Sequence, residues 1–391
     1  MIRRMVSVIL CLLLFLSCLP LFVLAEGEPV AELTDSQKVP FELNCKSAVL
    51  MDAGSGTVLY EQNAAEALPP ASVTKIMTLL LVMEAIKDGK IKLDDQVSTS
   101  ETAASMGGSQ IYLEVGETMS VEDMIKSVVI SSANDAAVAL AEHVSGDLTT
   151  FVGQMNEKAQ ELGMTSTHFE NATGLDDTAQ NHLTSALDIA KMSRALIAYP
   201  DILKYSSIWM DTVRGGAFGL TNTNRLVRFY KGATGLKTGS TSKAGFCVSA
   251  TAEREGLSLI CVIMGAATRD ERNAMATKLL DWGFANYSQY NSPDQALEPV
   301  RIVGGTQSSC PVKAVPFSCI LPKGKAAAVK STVTVPEQLS APLTKGQVIG
   351  KVEYTLDSSV LGSASITAQA DIPKISFWGV WQRLLAKMLL N

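Results

Sequence analysis

Ser72 and Lys75 stand three residues apart at the mouth of an apolar run, Ile76-Met77-Thr78-Leu79-Leu80-Leu81-Val82-Met83. Pro69 and Pro70 end whatever precedes and fix the entry angle, so the run reads as a buried helix. Residues three apart share a helix face, which brings the lysine amine to the serine hydroxyl. That hydroxyl is a weak nucleophile until a neighbouring base takes its proton. A lysine kept in an apolar, water-poor helix loses basicity and can be that base. The free N–H groups of the helix N-terminus favour a developing oxyanion nearby. The same serine would serve equally as an N-cap, and a second Ser-x-x-Lys runs from Ser240 to Lys243. The pair alone leaves both readings open.

Two further clusters bear on that choice. Ser132-Ala133-Asn134 falls at the junction of two helical segments, where a loop presents both polar side chains to a cleft. Lys237-Thr238-Gly239 begins a strand. There the threonine offers a hydroxyl, and the glycine leaves room for a ligand backbone to approach.

The elements that must position these residues are legible from hydrophobic period. Ala48 to Asp52 and Thr57 to Tyr60 form a hairpin around a glycine-rich turn. Ser120 opens a helix with a capping-box-like start, Asn134 to Val144 is an alanine-rich helix, and Asp147 to Leu162 ends at Gly163. Ser185 to Ala198 is helical and closes at Pro200. Gly245 to Ala250 and Leu257 to Met264 are strands joined by Glu253-Arg254-Glu255-Gly256, and Arg272 to Phe284 returns to helix. Strands therefore flank a helical block, and the first hairpin can join the later strands. The expected fold class is α+β, a sandwich of one antiparallel sheet with a helical block.

Beyond residue 286 the composition shifts to short β-rich runs with frequent Gly and Pro, which predicts a small all-β domain over 287–370. In the tail, 371–391, Phe377, Trp378, Trp381, Leu384, Leu385 and Met388 recur at helical spacing beside Lys374, Arg383 and Lys387. This pattern predicts an amphipathic helix lying in a membrane surface.

At the other end, Arg3-Arg4 precede an apolar run that reaches Leu24, and Val23-Leu24-Ala25 is a processing site. Residues 1–25 read as a signal peptide, 26–40 as a leader and 41–286 as the catalytic domain, so the protein is exported. With a net charge of -6 there is no broad basic surface for nucleic acid. Cys45, Cys247, Cys261, Cys310 and Cys319 remain after processing, without metal-ligand spacing, and read as small buried hydrophobes. His143, His168 and His182 show no zinc-site spacing, so neither metal nor cofactor is expected.

Taken in order after a signal peptide, Ser72-x-x-Lys75, Ser132-x-Asn134 and Lys237-Thr238-Gly239 resemble the three motifs of penicillin-recognising serine enzymes. Asn171-Ala172-Thr173-Gly174-Leu175, His182-Leu183-Thr184-Ser185-Ala186 and Asn222-Thr223-Asn224-Arg225-Leu226 are similar to stretches of the DacF-like D-alanyl-D-alanine carboxypeptidases, low-molecular-mass penicillin-binding proteins. The resemblance covers nearly the whole mature chain. It implies that Ser72 forms an acyl-enzyme on the penultimate D-alanine of a peptidoglycan stem peptide, with Lys75 as base. Ser132 would relay a proton to the leaving D-alanine, and Asn134 would hold Lys75 and the substrate amide. Lys237, Thr238 and Arg272 would meet the terminal carboxylate beside Gly239, and the N–H groups of Ser72 and Ser240 would form the oxyanion hole. It further implies acylation by β-lactams and work at the outer face of the cytoplasmic membrane. Two departures stand out: Ala172 replaces the family's proline, and Ser240 stands where relatives carry histidine.

Competing readings are a β-lactamase and a non-turnover β-lactam sensor or scaffold. The first predicts a deacylating Glu-x-x-Leu-Asn segment between Asn134 and Lys237, which is missing. The second predicts a signalling partner or membrane span.

Overall fold

The computed structural model describes residues 39–177 and 179–389, so the expected signal peptide and nearly all of the expected leader lie outside the described residues. Strands β1 (Ser47–Asp52) and β2 (Val58–Gln62) form the first hairpin. β3 (Ala233–Thr241), β4 (Gly245–Arg254) and β5 (Leu257–Ala266) follow much later in the chain. All five join one antiparallel sheet in the order β2-β1-β5-β4-β3, with Leu50 opposite Cys261 and Lys237 opposite Ser249.

Both faces of this sheet are covered, which is why β4 and β5 read as near-continuous apolar runs. Side chains alternate between faces along each strand. Val49, Met51, Ile260 and Val262 enter one core with the helical block, while Ala48, Leu50, Leu259 and Cys261 enter a second core with Met275, Leu279 and Leu280. The expected α+β sandwich is what forms.

The helical block holds α1 (Lys75–Lys87), α2 (Val121–Ile130), α3 (Asn134–Ser145), α4 (Leu148–Glu161) and α5 (Ala186–Ile197). Ten of the thirteen residues of α1 are buried, so it runs through the core rather than along it. Ser120, Asp147 and Ser185 cap α2, α4 and α5 by accepting N–H bonds from Asp123, Thr150 and Asp188. The second core is closed by α6 (Arg269–Asn286).

Three boundaries differ from the sequence reading. The mouth of α1 is a 3₁₀ turn, Ala71–Thr74, so Ser72 stands before the α-helix and Lys75 begins it. α6 begins three residues before Arg272, because Thr268 accepts from the N–H of Glu271 and the polar first turn carries no apolar period. Lys237 to Gly239 lie in the middle of β3 and not at its start.

After α6, Tyr287–Asn291 pairs with Ser318–Pro322, and the remaining strands build a separate β cluster around Val300, Cys310, Val352, Tyr354 and Ile366. The five cysteines are free thiols; Cys310 pairs with Val300 and Cys319 with Tyr290, on different sheets. Cys45 and Cys319 are half-buried rather than buried, unlike the other three. A terminal helix, α7 (Phe377–Leu389), ends the described chain. Among the described residues no helix is long and apolar enough to cross a membrane, and no cluster has metal-ligating composition.

Candidate active site

Ser72 sits in the turn that leads into α1, directly after Ala71, whose φ of 48° is left-handed. Neither the turn nor α1 has a side-chain cap. The Ser72 hydroxyl instead lies 3.0 Å from Lys75 Nζ. An N-cap role is therefore not what this serine performs.

Lys75 is fully buried, and its amine has two other neighbours: Asn134 Oδ1 at 2.5 Å and the carbonyl of Thr173 at 2.8 Å. Burial pushes its pKa well below the usual lysine value, the positive charge of Lys237 pushes it further, and Asp135 opposes both. A neutral amine carries two N–H bonds and one lone pair, and both carbonyl oxygens can only accept. In that neutral form Asn134 and Thr173 take the two N–H bonds and the lone pair is left for the Ser72 hydroxyl, whereas a protonated amine would donate to all three oxygens.

Asn134 can present only its oxygen to Lys75. Its Nδ2 donates to the Gly107 carbonyl at 2.6 Å, and its backbone N–H donates to Ser109 at 2.7 Å. Two residues earlier, Ser132 adopts a φ of 64°, and its hydroxyl is buried without a partner among the described residues. A strained residue with an uncommitted hydroxyl marks a site kept for something other than folding.

The opposite wall is β3. A Cβ on Gly239 would lie 2.7 Å from the Ser72 nitrogen, so only glycine lets the strand reach the Ser72 backbone. Thr238 Oγ1 donates to Thr223 Oγ1 at 2.8 Å, and Ser240 is exposed at the strand's outer end. Lys237 is buried, and its Nζ donates to the Thr238 carbonyl at 3.1 Å. Burial, then the neighbouring Arg272, brings its pKa down to about 7. Arg272 is buried as well, with Nη1 donating to Cys247 O at 3.3 Å and Nε and Nη2 to Asn273 Oδ1. Burial, then Arg269, lowers its pKa to about 10.

Ser72, Ser132, Thr238, Gly239, Ser240 and Arg272 line one cleft of about 450 Å³. Lys75, Asn134 and Lys237 lie buried beside it. A larger hollow, about 790 Å³, opens between the first hairpin and α5; its Arg194 is already held by the carbonyls of Ala53 and Gly54. It contains no activated nucleophile. The second Ser-x-x-Lys comes apart here, since Lys243 is exposed and donates to the Asp176 carbonyl at 2.8 Å.

Several participants carry no signal of residue type. Thr173 acts through its carbonyl, as do Gly107 and Ser109. The loop bearing Thr173 is shaped by Asn171, whose Oδ1 accepts from the N–H of Thr173 and of Gly174. That Asx turn forms without the family's proline, and Ala172 contributes its carbonyl to Thr78 at 2.7 Å. Gly174 has a φ of 83°, and a Cβ there would collide with the Ala71 carbonyl at 1.9 Å. Asp135 accepts from the N–H groups of Ile111 and Leu113 and so holds the loop that contacts Asn134.

A serine joined to a buried lysine, an asparagine amide and a Lys-Thr-Gly strand define the penicillin-recognising serine class. Residues 33–268 match the D-alanyl-D-alanine carboxypeptidase family, and residues 288–374 match the penicillin-binding protein 5 C-terminal domain. The chain belongs to the D-alanyl-D-alanine carboxypeptidase family. It is 41% identical over 383 residues to D-alanyl-D-alanine carboxypeptidase DacF of Bacillus subtilis, covering 96% of each chain. It is 35% identical to the DacC carboxypeptidase of Escherichia coli, covering 88% of each. Among solved structures, penicillin-binding protein 5 of Haemophilus influenzae is 35% identical with a TM-score of 0.73, over 86% of this chain and 100% of that one. Penicillin-binding protein D2 of Listeria monocytogenes, in its cefotaxime-bound form, is 33% identical with a TM-score of 0.59, over 63% of this chain and 100% of that one.

Proposed function

We propose that this chain is a serine D-alanyl-D-alanine carboxypeptidase that removes the terminal D-alanine from peptidoglycan stem pentapeptides and is acylated by β-lactams. The observation that carries the reading is the buried Lys75 amine 3.0 Å from the Ser72 hydroxyl, with two carbonyl oxygens as its other neighbours. Ser72 Oγ attacks the carbonyl of the penultimate D-alanine while Lys75 takes the hydroxyl proton. The N–H groups of Ser72 and Ser240 stabilise the tetrahedral oxyanion. The C–N bond then breaks, and Ser132 relays the proton taken by Lys75 to the departing D-alanine amine. Water hydrolyses the acyl ester and frees Ser72. Lys237, Thr238 and Arg272 bind the terminal carboxylate, and Asn134 orients both Lys75 and the substrate amide.

Incubation with a peptide ending in D-Ala-D-Ala tests this directly. Stoichiometric release of D-alanine at each turnover is expected. Turnover of penicillin without peptide hydrolysis would indicate a β-lactamase instead, and a stable adduct without either would indicate a sensor.

Protonation states set the pH profile. Lys75 must be neutral to accept a proton, so kcat/KM rises as pH climbs through its depressed pKa. Lys237 must be charged to bind a carboxylate, so kcat/KM falls as pH passes about 7. A bell with its alkaline limb near that pH is expected from initial rates, and Lys237→Met should remove the limb while raising KM. A wild-type rate that climbs steadily to pH 9 would contradict this assignment.

Export and membrane attachment complete the reading, with the enzyme held at the extracytoplasmic face of the cytoplasmic membrane. In α7, Phe377, Trp378 and Met388 are each more than 70% exposed, while Arg383 donates to the carbonyls of Gly305 and Thr306. The helix is tied to the β cluster through its arginine, and its apolar side chains face outward, an arrangement suited to a lipid surface. Truncation after Pro373 should leave D-alanine release intact and move the protein from the vesicle pellet to the supernatant. Persistence in the pellet would assign attachment to another segment.

A further inference from the structure

His182 takes no part in the mechanism above, yet it is buried against the turn that carries Ser72. The N–H of Glu170 donates to its Nδ1 at 3.0 Å, so that nitrogen must be the unprotonated one. Burial keeps the ring neutral by lowering its pKa to about 4. Its single N–H therefore sits on Nε2, which lies 2.8 Å from Thr74 Oγ1. The Thr74 hydroxyl sends its own proton to the Ala71 carbonyl at 2.9 Å. The three bonds form one chain with a fixed direction: Glu170 N–H to His182, His182 to Thr74, Thr74 to Ala71 O.

That chain ends on a particular peptide group. The carbonyl of Ala71 and the N–H of Ser72 belong to one planar unit and point in opposite directions. Fixing the carbonyl therefore fixes where the Ser72 N–H points. Ala71 has a φ of 48°, a conformation that an alanine does not hold without support. Gly174 packs close against the same carbonyl. Parallel ties from Lys75 to Thr173 and from Thr78 to Ala172 bind this end of α1 to the same loop.

The geometry points to His182 as a positioning residue that aims the Ser72 N–H, the oxyanion-hole donor, through Thr74 and the Ala71–Ser72 peptide. The inference rests on Ser72 being the nucleophile, and it assigns to a histidine outside the three motifs a share in transition-state stabilisation. Losing one oxyanion donor outright costs on the order of 10²–10³ in kcat, so misaiming it should cost about tenfold or more.

Two side chains separate the bonds His182 makes. Gln at 182 keeps an N–H near the Nε2 position, and Asn keeps an acceptor near Nδ1. His182→Asn and Thr74→Val are each expected to slow acylation by a fluorescent penicillin about tenfold. They should also lower kcat for D-alanine release with KM little changed, whereas His182→Gln should stay within about threefold of wild type. Combining His182→Asn with Thr74→Val should add no further loss, because both break one chain. Additive losses, or equal rates for the Asn and Gln variants, would overturn the proposal. So would losses in rate that simply track the unfolding temperatures of the variants. Should one His182 variant fail to fold, Thr74→Val against Thr74→Ser decides alone: serine keeps the hydroxyl and should keep the rate, and equal losses would refute the chain. Thr74 and His182 results bear only on aiming, since a wrong nucleophile would show itself as persistent labelling of Ser72→Ala.

Discussion

Ser72→Ala is expected to reduce both penicillin labelling and D-alanine release by about 10⁴-fold or more, to background. The scale follows from removing the hydroxyl proposed to form the covalent bond. The fold should survive. Ser72 is half-buried, caps no helix, and among the described residues its hydroxyl has one hydrogen-bond partner, Lys75 Nζ at 3.0 Å. Loss of a single such contact costs about 1 kcal/mol. Labelling by a fluorescent penicillin, read beside a thermal unfolding curve, separates a dead site from a misfolded one. Labelling that persists in a folded variant would move the nucleophile elsewhere.

Lys75→Met should slow acylation by about 10²–10⁴, the usual contribution of a positioned general base. Methionine suits the test because it fills a similar apolar volume without an amine. It also removes a cost of its own, since a buried amine is expensive to fold around. Against that, Asn134 Oδ1 and the Thr173 carbonyl lose their donor, at about 1–3 kcal/mol for a buried unsatisfied group. The net change in stability should therefore be small beside the change in rate. Stopped-flow measurement of the acylation rate constant is the check, and an unchanged constant would remove Lys75 from the role of base. Lys75→Arg sharpens the result: it keeps a cation but cannot lose its proton at neutral pH, so it should be as slow as methionine.

How much of this was legible in the sequence varied with the kind of physics involved. Apolar period located α1, the first hairpin, β4 and β5, because burial on a helix or strand imposes a spacing that composition alone can reveal. Residue type marked Ser72, Lys75, Asn134 and Lys237, since hydroxyl and amine chemistry needs those side chains. Backbone participants stayed hidden. Nothing in a threonine's identity says that its carbonyl will hold a lysine amine, as Thr173 does.

Long-range ties were equally silent. Arg214, in the hairpin of Met210–Val213 and Phe218–Thr221, donates to Glu117 and to the carbonyls of Ile111 and Tyr112. It thereby joins two lips of the cleft from positions about a hundred residues apart in sequence. Neither short strand of that hairpin announces itself, being four residues long with mixed polarity. The start of α6 was missed for a local reason, since its first turn is charged and only the Thr268 cap marks it. His182 stood out in the sequence only as part of a family-like stretch. Its contact with Thr74, 108 residues away, becomes visible only in the fold.

The most direct test of the account is to locate the acyl group. After brief exposure to benzylpenicillin and proteolysis, mass spectrometry should find the added mass on the peptide containing Ser72. An adduct on the peptide containing Ser240, or none at any serine, would contradict it.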